Sequence, residues 1–145
     1  MDQTLLVGPN LAAGRDLVQY LDTTEFAVHS ALWLFLPETA EWRLVIASPF
    51  VEKRGPTAAY RFLQAALKKT RGEARDLRVS DITAISPSDP LIRTLSTAMT
   101  TGPGIAGIRF SRNVVNGAFI EDAYIYRLQS ATEKLPRPKA RSRQD

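Results

Sequence analysis

Residues 26–36 read FAVHSALWLFL, and both alternating sets of side chains are largely apolar. Phe26, Val28, Leu32 and Leu34 form one set; Ala27, Ala31, Trp33 and Phe35 form the other. Aromatic and branched residues at this density favour a strand. A strand apolar on both faces has to be central and covered on both sides. That requirement constrains the chain more than any other stretch, because it demands a sheet with packing layers above and below. PETAE supplies a turn, and WRLVIAS, Trp42 to Ser48, returns as the second strand of a hairpin.

The remaining elements follow from periodicity and punctuation. LAAGRDLVQYLD, residues 11–22, has Leu11, Gly14, Leu17, Val18 and Leu21 on one helical face, with Asn10 as a candidate cap. PFVEKRGP reads as a loop, and Pro56 opens an amphipathic helix that buries Ala59, Phe62, Leu63, Ala66 and Leu67. Gly72 follows its cationic last turn. LRVSDITAI, residues 77–85, reads as a strand with a break near Asp81. Ser88 or Asp89 caps a helix entered through Pro90 that buries Leu91, Ile92, Leu95, Ala98 and Met99. Asn116-Gly117 marks a final hairpin, because a type I′ turn needs positive φ at both central positions. The expected architecture is a single α+β (or α/β) domain over residues 1–132. Its order is α-β-β-α-β-α-β-β, with three helices on a mixed, mainly antiparallel sheet of about five strands. Residues 133–145, proline-containing and basic, read as a flexible tail.

Counting outward from Asn116-Gly117 sets Val115 opposite Ala118 and, further along, Arg112 opposite Glu121 and Ser111 opposite Asp122. In a regular hairpin the adjacent carboxylates then point to opposite faces; a bulge at either residue would cancel that separation. Arg112 and Glu121 are expected to form a structural ion pair on the apolar face. Ile120, Tyr124 and Tyr126 fall on the other face and make a candidate partner surface for a protein or a second copy of the chain. Arg109, opposite Tyr124, is placed for a cation–π contact.

Charge has to be located before it is interpreted. The formal net charge is +4 and the pI about 9.7, yet Lys134, Arg137, Lys139, Arg141 and Arg143 account for the excess. Positions 1–133 hold 14 of the 19 basic and 14 of the 15 acidic residues, so the body is neutral. Within it, Arg61, Gln64, Lys68 and Arg71 recur at i, i+3, i+7 and i+10 along one helix face. Arg61, Lys68, Lys69 and Arg71 are therefore the candidate nucleic-acid contacts, with the tail as an auxiliary arm. The alternative is a solvated helix face whose cations favour the C-terminal dipole.

No catalytic motif for phosphate loops, dinucleotides, zinc hydrolysis or serine hydrolysis occurs. TGPGIAG is glycine-rich but runs from a helix to a strand, the reverse of a phosphate loop. The chain has no cysteine and one histidine, His29, which reads as a core or edge residue. That composition excludes a disulfide framework, a thiolate zinc site and a cysteine nucleophile, and it suits a reducing cytoplasm. No apolar run approaches the ~20 residues of a membrane helix. The leading expectation is a non-enzymatic cytoplasmic binding module, with no cofactor, no metal and no membrane contact. The alternative is a metal-dependent nuclease or other hydrolase that uses Asp81, Glu121 or Asp122, at least two of which would have to converge in one pocket.

Overall fold

The computed structural model describes residues 9–70 and 72–131, so Arg71 and the basic tail at 133–145 lie outside the described residues. Helix α1 (Pro9–Leu21) precedes the hairpin β1 (Ser30–Leu36) and β2 (Glu41–Ala47). Helix α2 (Pro49–Lys69) follows, then two 3₁₀ turns (Gly72–Asp76 and Val79–Asp81), β3 (Ile82–Ile85) and α3 (Pro90–Ala98). The hairpin β4 (Ile108–Val115) and β5 (Ala118–Arg127) ends the fold. The result is an α+β domain with three helices and a five-stranded sheet, in the order expected.

Spatially the strands run β3-β2-β1-β5-β4. β1 is central, as its doubly apolar sequence demands. Ala31 and Trp33 join Leu44, Ile46 and Tyr126 in a core under α1 and α2. Leu32 joins Val45, Ala47, Ala123 and Ile125 in a second core closed by Ile92 and Leu95 of α3. All pairings are antiparallel except β2 with β3. The parallel pair sits at one edge because α2 carries the chain over the sheet between these strands.

Several boundaries differ from the sequence reading, each for a local reason. β1 starts at Ser30 instead of Phe26. The Phe26 amide donates to the Thr24 hydroxyl and the Ala27 amide to the Glu25 carbonyl. Those backbone groups are therefore committed to a turn instead of a ladder. Phe26 packs its ring against Phe50 and Phe62, at 4.9 and 5.4 Å between centroids. PFVEKRG is not a loop. It is a helical turn capped by Ser48, whose hydroxyl accepts from the Phe50 amide, and it joins the main part of α2 through a kink at Gly55 (φ 89°). Residues 77–81 form no strand: Asp81 accepts from the Arg78 amide and closes a 3₁₀ turn, leaving only Ile82–Ile85 to pair. α1 begins at Pro9, so Asn10 lies inside its first turn.

The C-terminal hairpin has the counted register, from Val115 with Ala118 to Ile108 with Ile125, but the ladder skips Arg112 and Glu121. Arg112 has φ 52°, which breaks the alternation of faces. Beyond this kink Ile120 is buried in the second core with Ala123 and Ile125, on the side strict alternation denies it. Val114 and Phe119 project past the core and are 67% and 57% exposed.

Candidate functional site

The second segment of α2, Pro56 to Lys69, carries Arg61, Lys68 and Lys69 and no carboxylate. Ala59, Leu63, Ala66 and Leu67 bury its inner stripe, which turns all three cations to solvent. Arg61, Lys68 and Lys69 border one shallow groove with Gln64 and Ala65. Among the described residues none of the three forms an ion pair. By contrast Arg43, Arg54, Arg78, Arg109 and Arg127 all do.

Beside this groove lies a larger cleft of about 460 Å³. Its floor is Leu67 of α2 with Leu77 and Val79 from the 3₁₀ segment. Gln64 and Lys68 line the cleft and the groove alike, which makes the two continuous. Arg78 and Ser80 form the opposite wall. The Arg78 side chain is 80% exposed and holds Asp81 only at 3.8 Å, so its guanidinium remains accessible. The signal of the cleft in the sequence was the Asp81 break, which marks a turn closed by a carboxylate.

The tyrosine surface expected on the C-terminal hairpin is interior. Tyr126 is 2% exposed beneath α1. Its hydroxyl accepts from the Trp33 indole at 3.0 Å and donates to the Leu11 carbonyl at 2.6 Å. Burial keeps that hydroxyl neutral to well above the usual phenol range. Tyr124 is partly buried and meets Tyr126 edge-on at 5.4 Å. With Ile120 also buried, the three residues make no free face. A helix covers this side of the sheet, which alternation within one hairpin cannot reveal.

The ion pair on the hairpin also differs from the one expected. Arg112 and Glu121 form none among the described residues. Instead Arg109 clamps Asp122 with two bonds of 2.7 Å, Nε to Oδ1 and Nη2 to Oδ2. These hydrogen bonds raise the Arg109 pKa above its ordinary value, and they draw Arg109 away from a cation–π contact with Tyr124. The register held the clue, since Asp122 is the diagonal neighbour of Arg109 across the pair Arg109–Tyr124.

Of the three carboxylates of the hydrolase alternative, two come together and the third stands apart. Glu121 and Asp122 border one shallow depression with Ser111 and Arg112, but both Asp122 oxygens are occupied by Arg109. Asp81 precedes β3, three strands from β5, which at ~4.8 Å per strand is roughly 14 Å away. Among the described residues no group of three potential ligands is placed to hold a metal ion. His29 lies just before β1, with Nδ1 2.9 Å from the Ser30 hydroxyl and Nε2 3.0 Å from the Ser130 carbonyl, a structural placement. Among the same residues no helix is long and apolar enough to cross a membrane.

Comparison of the chain with protein-family models, with curated proteins and with solved structures finds no match.

Proposed function

We propose that this chain is a non-catalytic cytoplasmic binding module that contacts the phosphate backbone of a nucleic acid through the outer face of α2. The observation that carries the reading is the groove of Arg61, Lys68 and Lys69, exposed and, among the described residues, without ion pairs, in a body whose formal charge is balanced. Such cations recruit phosphates by releasing condensed counterions, and no cofactor or reactive group is needed. With three contacts to a single strand, the plot of log K against log salt should have a slope of about −2. Replacing Arg61, Lys68 and Lys69 together by Glu should weaken binding about a hundredfold with the fold intact by circular dichroism. A folded triple variant that binds like the parent, or parent binding that is indifferent to salt between about 50 and 200 mM, defeats this reading.

A second reading, association with a protein or another copy of the chain, is favoured by one observation. Val114 and Phe119 form an exposed cross-strand apolar pair at the hairpin tip. Such association would persist in salt that strips a polyanion, and Phe119→Ser should abolish it in light scattering. A chain that is monomeric at all concentrations and retains no protein partner in high salt removes this reading.

A further inference from the structure

The cleft beside Lys68 is larger than a track for phosphates requires. Backbone contacts need only exposed cations, which the neighbouring groove already supplies. The cleft adds an apolar floor, Leu67, Leu77 and Val79, flanked by Lys68 on one side and Arg78 on the other. Its volume, about 460 Å³, is enough to seat a small organic group against the floor. An occupant should thus present an apolar face to the floor and negative charge to both rims. Gln64, at the junction with the groove, offers an amide donor and acceptor to a polar edge.

We infer that this cleft seats one unstacked base of a single-stranded nucleic acid, with the phosphates on its two sides held by Lys68 and Arg78. The inference rests on the proposed function and narrows it from nucleic acid in general to single strands. A duplex keeps the faces of its bases stacked and hidden, whereas a single strand can turn one outward onto an apolar platform. The groove then continues the backbone track: Arg61 lies seven residues from Lys68 on the same helix, roughly 10 Å along its axis.

The test uses the full chain and fluorescence anisotropy with a labelled single strand of mixed sequence and with its duplex. The single strand should bind about tenfold more tightly than the duplex. Ser80 is exposed on the cleft wall and its side chain contributes nothing to the core, so Ser80→Leu narrows the site while leaving the fold and every cation in place. It should remove that preference and leave duplex affinity within about twofold. Equal affinity of the parent for both forms, an undiminished preference in Ser80→Leu, or equally effective competition by polyglutamate each overturns the base site. If those results appear while Arg61, Lys68 and Lys69 still govern affinity, the backbone reading survives alone. If neither oligonucleotide binds, both fail.

Discussion

Replacing Asp22 by Ala should cost about 4–5 kcal/mol of stability, more than replacing Arg127 by Met at about 3 kcal/mol. Arg127 is 5% exposed and ties together three parts of the chain. Its guanidinium donates to both Asp22 oxygens at 3.0 and 2.9 Å, to the Val28 carbonyl at 3.0 Å and to the Gly104 carbonyl at 3.3 Å. The Asp22 side chain is 37% exposed, so the two partners are not equivalent. Removing Asp22 strands a buried cation with only carbonyls around it. Removing Arg127 strands a carboxylate that water can reach. The double substitution should therefore be more stable than Asp22→Ala alone, an inversion of ordinary additivity. Urea denaturation reads this directly. With a slope of about 2 kcal/mol per molar, Arg127→Met moves the midpoint down by about 1.5 M. A double variant less stable than Asp22→Ala would show that the stranded guanidinium is not what destabilises the single one.

Gly14→Ala should destabilise the protein by about 2 kcal/mol, although alanine is the better helix former by about 1 kcal/mol. A β-carbon at Gly14 would lie 2.8 Å from two ring carbons of Tyr126 and closer still to its hydroxyl. The ring cannot retreat cheaply, because Trp33 and the Leu11 carbonyl hold its hydroxyl from two sides. Displacing it adds a buried unsatisfied donor to the overpacking. Tyr126→Phe alone should cost about 1–2 kcal/mol by leaving the Trp33 indole unpaired. The pair of substitutions should cost less than their sum, since the missing hydroxyl is the atom nearest the new methyl. Thermal melting of the four proteins measures the coupling. If Gly14→Ala raises the melting temperature, helix propensity outweighs the contact and the packing argument is wrong.

Elements whose punctuation is local were legible in the sequence. Asn116-Gly117 set the counted register with φ of 50° and 81°, and Asp89-Pro90 opened α3 with Asp89 accepting from the Leu91 amide. The centrality of β1 was legible because Trp33 and Leu32, on opposite faces, are both too apolar for water. What was not legible depends on partners distant in sequence. Tyr126 reads equally as surface or core until α1 is laid over it. Arg112 carries no local mark of positive φ, so neither the kink nor the burial of Ile120 followed from alternation. The cleft appears only when the 3₁₀ segment packs against α2, and the cationic groove needed only helical spacing.

The ends of the sheet limit how copies of this chain can meet. At β3, the outer amide of Ala84 is taken by the Tyr60 hydroxyl and the Ile82 carbonyl by Arg43. At β4, the Ser111 carbonyl is taken by the Asn113 side chain, and the kink at Arg112 interrupts the edge. Part of each edge is thus taken up within the chain, and strand-by-strand growth into a filament would first have to rupture these bonds. The charged side chains of the α2 groove, unlike the backbone edges, respond to ionic strength. On the proposed reading, a polyanion held by the α2 groove would be released by changing the salt or the competing polyanions around it, without unfolding anything.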